Sequence, residues 1–528
     1  MPELATQRIE QLSQTDAFQY LKSLQRGIEK ESLRTTRAGL LAQTDHPKGL
    51  GSPFTHPRIT TDFSESLLEL ITPVFPSIDG ALASLDEVHR YVYSQLGDEL
   101  MWTASMPCQL PEDAAIPVAR YGSSNAAKMK TAYRVGLGNR YGRAMQTISG
   151  IHYNFSLPEG LWPHLQQQRS AESQALSIQD FKTESYFHVI RNFRRISWLL
   201  PYFYGASPAV SKCFLQGQEH NLQELDDSTL YLPYATALRM GDFGYQSNAQ
   251  NGLAICYNKL DNYIETLKQA IVTEHPDYQK IGIKKDGAYQ QLSTALLQIE
   301  NEFYSTIRPK RVTESGEIPL GALQNRGVEY IEVRTIDVNP YLPLGIDKDE
   351  IRFVDCLLLF CLFDDSPECD DDDSARINSN FKAVVNHGRQ PGLQLQQRAG
   401  SVAMSDWAEE LLQGITAIAK HLDALHGGDN YQRVCQQQLE KLHNPALTPS
   451  AKILADMQKN QQSYFEFALA QSQQHADNFK KTTLSSEQID AFETATDESN
   501  QRRAALENEN TVDFDQYLAA FYQQYQQL

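Results

Sequence analysis

Ser149-Gly-Ile-His-Tyr-Asn-Phe-Ser156 alternates its two faces residue by residue. Successive side chains of an extended chain point to opposite sides, so His152, Asn154 and Ser156 share one face while Ile151, Tyr153 and Phe155 share the other. A polar face set against an apolar one describes a strand with a core on one side. A single histidine on such a strand is more often a hydrogen-bonded structural residue than a ligand, and both readings stay open at this point. Val328-Glu-Tyr-Ile-Glu-Val-Arg334 repeats the alternation and gathers Tyr330, Glu332 and Arg334 on one side. There a same-strand ion pair competes with a metal-bound carboxylate beside a phosphate-binding guanidinium.

Further out, Gly27-Ile-Glu-Lys-Glu-Ser-Leu-Arg34 reads as a third extended piece, with Glu29 and Glu31 on one face. Two carboxylates so placed repel unless cations bridge them; the alternative is an exposed charged strand paired with Lys30 or Arg34. Residues 63–71 read instead as an amphipathic helix. Asp62, Glu65 and Glu69 then share a face, Phe63, Leu67 and Leu70 form the apolar stripe, and Asp62 competes for a helix-capping role. In Gln298-Ile-Glu-Asn-Glu302-Phe-Tyr304-Ser-Thr-Ile-Arg308-Pro-Lys310-Arg311, acidic and aromatic residues run into a basic loop suited to clamping phosphates.

Helices are expected over residues 10–24, 79–96 and 180–200, with a Gly/Pro-punctuated loop over 39–57. The apolar run Cys356-Leu-Leu-Leu-Phe-Cys-Leu-Phe363, closed by Asp364 and Asp365, reads as the core of a buried helix. After Gly400 the segments 406–425, 429–442, 450–474 and 485–507 look helical and Gln-rich, with Gly427-Gly428 as a helix terminator. Tyr464, Phe465, Phe467, Leu469, Tyr517, Leu518 and Phe521 supply an apolar stripe that favours packed helices over a free tail. Asp370 to Asp373, beside Glu368, reads as a solvated acidic loop.

The 528 residues are 41% hydrophobic, enough for a sizeable core, and 47 basic against 66 acidic residues leave a net charge of −19. That balance disfavours a general nucleic-acid or anionic-membrane binder. Seven cysteines without a C-x-x-C pair suggest a reduced, cytoplasmic chain. The first residues lack signal-peptide order, and no apolar run reaches the ~18 residues that a membrane helix needs. Neither G-x-x-x-x-G-K-[ST] nor G-x-G-x-x-G occurs, and H-E-x-x-H and G-x-S-x-G are also missing. A nucleotide bound by this chain would need carboxylate-held metals to cradle it.

Long runs agree in order with one family. Gln25-Arg-Gly-Ile-Glu29-Lys-Glu31, Ile59-Thr-Thr-Asp62-Phe, Leu68-Glu69-Leu-Ile-Thr-Pro73, Met101-Trp102, Ser105-Met-Pro-Cys108 and Asn139-Arg-Tyr-Gly142 carry the likeness. So do Met145-Gln-Thr-Ile-Ser-Gly-Ile-His-Tyr-Asn-Phe-Ser156, Tyr231-Leu-Pro-Tyr-Ala235, Arg308-Pro-Lys-Arg311 and Tyr330-Ile-Glu-Val-Arg334. The chain resembles the glutamate–cysteine ligases of the gamma-proteobacterial type, up to about residue 400 and more faintly beyond. The resemblance implies an α+β, glutamine-synthetase-like fold: a curved, mainly antiparallel sheet surrounded by helices. Residues 1–400 would form the ligase domain and 401–528 a helical region packed on it.

The implied reaction joins the glutamate side-chain carboxylate to the cysteine amine through an acyl phosphate, with ATP becoming ADP and phosphate, as the first step of glutathione synthesis. Glu29, Glu31, Asp62, Glu69, His152 and Glu332 would bind Mg²⁺, with Mn²⁺ better suited to His152. Arg334 and Arg308 would hold the nucleotide phosphates, with Arg334 and Arg134 taking catalytic parts, and Arg239 would hold glutamate. Tyr133, Gln146, Tyr245 and Tyr304 would line the substrate pocket. Feedback inhibition by glutathione and a monomeric state are also implied. The rival readings are another carboxylate–amine ligase with a different acceptor, an inactive binding protein on the same fold, and a metal-dependent hydrolase.

Overall fold

Antiparallel pairing joins seven strands of the computed structural model, which describes residues 2–242 and 253–528. They are β1 (Gln25–Thr35), β2 (Ile59–Thr61), β3 (Leu67–Ile71), β4 (Leu100–Met101), β5 (Gly150–Ser156), β6 (Ile307–Lys310) and β7 (Tyr330–Asp337). The order across the sheet is β6-β7-β5-β1-β3-β2, with β4 paired to the end of β1. A register shift between Val333 and Ile336 interrupts the β7–β5 pairing, which resumes at Ile336–Ile151, as bulges do near sites.

All three segments that alternate in sequence are strands of this sheet. One face carries Ile28, Ile151, Tyr153, Phe155, Ile331 and Val333, buried in the cluster that includes Leu85, Ile190 and Val354 of the covering helices Ile78–Gln95, Ile178–Ile196 and Lys348–Phe363. The run from Cys356 to Phe363 is wholly buried, and Asp347 caps its helix by accepting from the Asp349 and Glu350 N–H groups. On this face Arg26 is locked to Asp355 at 2.6 Å, and the Tyr153 hydroxyl donates to the same carboxylate at 2.7 Å.

Several expectations are corrected. Residues 63–71 are not a helix: Leu67–Ile71 is strand β3, and Asp62 caps nothing. Leu68 and Leu70 are fully buried on one face, and on the other Leu67 is fully buried beside the cavity-facing Glu69, so an apolar residue interrupts the polar face and the two-residue period is hidden. Residues 10–24 hold the end of one helix, Pro2–Ser13, and a separate 3-10 turn, Asp16–Ser23. The segment 450–474 is broken at Gln461, which adopts a left-handed φ of 53° between helices Pro449–Asn460 and Tyr464–Lys481. Asp370 caps the helix Asp371–His387, and the following acids occupy its first turn, where the helix dipole favours them. The basic stretch at Arg308 is strand β6, not a loop.

Beyond residue 400 the helices Met404–His426, Asn430–His443, Ser486–Asn508 and Phe514–Gln526 follow, and Gly427 at φ 82° ends the first of them. Ala5, Ile9 and Leu12 of the N-terminal helix share one hydrophobic cluster with Ile415, Ile418 and Leu422. Among the described residues no helix is long and apolar enough to cross a membrane. All seven cysteines are free thiols.

Candidate active site

The sheet's other face is polar, and strand register decides which charges meet there. Glu31 of β1 stands opposite Glu69 of β3, and Glu29 stands opposite His152 of β5. One strand further on, Glu332 of β7 faces Asn154 of β5 and Arg308 of β6. Glu29, His152 and Glu332 form one trio and Glu31, Glu69 and His152 a second, each with its ligand atoms within 4.8 Å of one another. His152 belongs to both because its ring nitrogens point apart: Nδ1 lies 3.4 Å from Glu29 Oε2 and Nε2 lies 3.9 Å from Glu31 Oε1. Asn154 Nδ2 donates to Glu29 Oε1 at 2.8 Å, and the Gly150 N–H donates to Glu31 Oε2 at 2.6 Å. These bonds fix the carboxylates in place without neutralising them.

The electrostatics separate the acids. Burial, then the charges of Glu29, Asp62 and Glu31, push the Glu69 carboxyl well above the usual carboxylate range. Burial also raises Glu31, with Asp62 adding to it. At Glu332 burial opposes ionisation, but Lys310 and Arg334 outweigh it and hold the carboxyl well below its ordinary value. At Glu29 burial is the largest single influence and Glu332 adds to it, but the hydrogen bond and charge of His152 together with Lys310 outweigh them, and the carboxyl ends up lowered. A carboxylate cluster that cannot be fully ionised without compensation suits divalent cations, and its oxygens suit a hard ion while the shared imidazole suits manganese. The residues present therefore fit the implied metal.

A basic belt borders the acids. Arg334 donates from one terminal nitrogen to Glu332 Oε2 at 3.0 Å, and Lys310 Nζ lies 3.3 Å from Glu332 Oε1. Arg334 Nε is buried with no hydrogen-bond partner among the described residues, as is Asn154 Oδ1. A buried donor left unsatisfied costs about 1–3 kcal/mol, so the guanidinium is set to receive an anion. Arg308 is anchored by its donation to the Asn301 and Phe303 carbonyls at 3.0 and 2.5 Å. Arg134 donates to the Asp62 carbonyl and lies 3.5 Å from the Asp62 carboxylate.

These groups line one cavity of about 910 Å³. Of the residues expected from sequence, Glu29, Glu31, Asp62, Glu69, Tyr133, Arg134, Gln146, His152, Tyr304, Arg308, Glu332 and Arg334 all face it. Asp62 belongs to neither metal-competent trio; its carboxylate turns to Arg134. Arg239 is not among the lining residues. It is buried on the sheet face that carries Gly150 and His152, donates to Asp337 Oδ1 at 2.6 Å and to the Arg334 and Ile336 carbonyls, and so braces the end of β7. Tyr245 lies outside the described residues.

Sequence reasoning missed Lys130, Arg140 and Glu302, which also line the cavity. The signal was present in the helix Asn125–Tyr141, where Lys130, Tyr133, Arg134, Leu137, Arg140 and Tyr141 recur at three- and four-residue spacing and so share one face. Burial, then the neighbouring Arg134, lowers the Lys130 ammonium to about 7. Arg140 and Glu302 form a fully buried ion pair at 2.9 Å.

Residues 9–384 match the family model for glutamate-cysteine ligase. The chain belongs to the glutamate–cysteine ligase family. A glutamate–cysteine ligase of Pseudomonas putida is 50% identical over 521 residues, covering 99% of this chain and 98% of that one. One from Pseudomonas aeruginosa is 49% identical over 525 residues, covering 99% and 98%. The crystal structure of the Francisella tularensis glutamate–cysteine ligase in complex with AMP superposes with a TM-score of 0.89 at 38% identity, covering 96% of this chain and 98% of that one. A bifunctional glutathione synthetase from Pasteurella multocida shares the fold, with a TM-score of 0.72 at 23% identity over 92% of this chain and 57% of that one. The glutamate–cysteine ligase fold of this chain is thus the α+β sheet-and-helix architecture described above.

Proposed function

We propose that this protein joins the side-chain carboxylate of glutamate to the amine of cysteine, converting ATP to ADP and phosphate, as the first step of glutathione synthesis. The observation that carries the reading is the pair of ligand trios sharing His152 beside the buried, unpartnered Arg334 Nε. Family membership gives the reaction, and this geometry provides for its charges.

The chemistry needs a carboxylate oxygen to attack the γ-phosphorus of ATP and an amine nitrogen then to displace phosphate from the acyl phosphate. Glu29, His152 and Glu332 would hold one divalent cation and Glu31, Glu69 and His152 a second, Mg²⁺ or Mn²⁺, with Asp62 at the rim. When bound, such ions supply Lewis-acid neutralisation of the phosphate and carboxylate oxygens. Arg334 directs its free Nε–H at the transferred phosphoryl group, and Arg308 and Lys310 neutralise the remaining phosphate charge. Arg134, fixed by the Asp62 carbonyl, orients the acceptor side, where Tyr133, Gln146 and Tyr304 offer surface for a small thiol side chain. Arg239, beside Tyr304, would hold glutamate, while its bonds to the Arg334 and Ile336 carbonyls keep β7 and hence Arg334 in place.

Residues 1–400 are assigned the ligase domain and 401–528 the helical region that supports it. Feedback inhibition by glutathione follows from the same pocket, because its γ-glutamyl-cysteinyl portion is the product itself. A monomeric enzyme completes the reading, in a cytoplasmic setting that the seven free thiols support. ADP release with ATP, glutamate and a panel of amines tests it. Cysteine should exceed serine and glycine at least tenfold; equal rates would transfer the protein to another acceptor.

A further inference from the structure

We propose that Tyr517 and Phe521, on the C-terminal helix Phe514–Gln526, form the purine-binding end of the active-site cavity. The inference rests on the ATP-dependent reading above and extends it to residues well beyond the 9–384 span of the family model.

The cavity is chemically graded. The carboxylates of β1, β3 and β7 occupy its floor, and Arg334, Arg308 and Lys310 stand between that floor and the sheet edge at β6. Met129, Leu292, Ile299, Tyr517 and Phe521 add an apolar and aromatic share to the lining, beside Asn301 and Glu317 of the segments that flank β6. A nucleoside triphosphate has the same gradation, from a polyanionic end that needs cations to a flat aromatic end that needs stacking surface. Placing its terminal phosphate at Arg334 sends the base outward past Arg308 toward Ile299 and the C-terminal helix.

The helix is held where it can do this. The Tyr525 hydroxyl donates to Glu300 Oε2, whose other oxygen accepts the Leu320 N–H at 3.0 Å. The Tyr522 hydroxyl donates to the Gln298 carbonyl at 2.8 Å, and Gln524 Nε2 donates to the Gly316 carbonyl at 3.0 Å. Each anchor falls on a segment flanking β6, so the helix is tied to the chain on both sides of that strand. Phe521 packs edge-on against Tyr522 and Tyr525 at 5.7 and 5.8 Å, which fixes its ring. Tyr517 and Phe521 are four residues apart on one helix face, and both are only partly buried, in a helix whose Leu518 and Tyr525 are buried. Both line the cavity.

The test replaces each ring by leucine in the full-length enzyme, as Tyr517→Leu, Phe521→Leu and the double variant, which keeps apolar bulk for helix packing and removes the stacking face. Stacking on one aromatic ring is lost as roughly a tenfold or greater change in affinity. The KM for ATP should rise about tenfold in the double variant, and inhibition by AMP should weaken in step. Inhibition by inorganic tripolyphosphate, and the KM values for glutamate and cysteine, should stay as in the wild type. An unchanged KM for ATP would overturn the inference, and so would tripolyphosphate weakening as much as AMP or a rise in the cysteine KM alone. If Phe521→Leu unfolds the C-terminal helix, Tyr517→Leu alone decides by the same ratios. Wild-type enzyme that released no ADP with both substrates present would instead sink the underlying reading, before any variant is compared.

Discussion

Glu31 and Glu69 stand directly opposite each other on antiparallel strands, both inside the active-site cavity. Facing carboxylates in a sheet are destabilising, by about 0.2–1 kcal/mol even at the surface and by more where solvent is excluded. Glu69→Gln should therefore raise the melting temperature of metal-stripped enzyme by a few degrees. It should also abolish most of the stabilisation that Mg²⁺ gives the wild type and lower kcat about a hundredfold. Thermal melts in chelator and in Mg²⁺, with an ADP-release assay, check all three; a variant less stable than wild type in chelator would show that the pair is not a source of strain.

Arg334 has one nitrogen on Glu332 and a second, Nε, without a partner among the described residues. Lysine keeps the charge but cannot make both contacts from one planar group. Arg334→Lys should lower kcat/KM by about 10²–10³, the loss typical of removing one preorganised donor from a developing charge. Steady-state kinetics with ATP varied would read the loss, and near-wild-type activity would rule out a fork-shaped contact.

Behind the sheet, Asp355 accepts from Arg26 and from the Tyr153 hydroxyl, all three fully buried. Removing one member leaves an uncompensated charge, which costs about 3–5 kcal/mol. Asp355→Ala should shift the denaturant midpoint accordingly. Because Tyr153 and Arg26 point away from the cavity, the KM values of the folded fraction should hold.

Lys30 is buried on that same face, 2.8 Å from His89 Nε2, and burial lowers its ammonium to about 7. His89 and His475 face it, and burial lowers both of them as well. Between pH 7 and 10.5 the unfolded chain keeps a proton that the fold has released. Stability should therefore rise with pH across that window, by up to about 1.4 kcal/mol per unit from this group. Lys30→Met should be the more stable protein at pH 7, and its advantage should shrink as pH climbs. Denaturation curves of both proteins at pH 7, 8 and 9 measure the difference; parallel pH dependence would mean that Lys30 stays charged.

Much of the cavity's chemistry was legible in the chain. Alternation alone put Glu29 with Glu31, His152 with Asn154, and Glu332 with Arg334, because side-chain direction in an extended strand is a local property. It failed at Leu67–Ile71, where the buried Leu67 shares the face of Glu69 and blurs the alternation, and at Gln461, where a left-handed residue divides what reads as one helix. The aromatic and basic face of Asn125–Tyr141 was readable by its spacing, yet nothing local shows that the face overlooks a cleft.

Sequence by itself determined which residues share a strand face, the run of helices after residue 400, and the family. Tertiary structure alone decided that Glu31 meets Glu69, that His152 serves two trios, that Arg239 is tied to Asp337 and the β7 carbonyls, and that Tyr517 reaches a site built more than 180 residues earlier. The division follows from range: face and period are set by neighbours one to four residues away. Register and cavity walls depend on which distant segments pair, and that choice belongs to the packing of the whole chain.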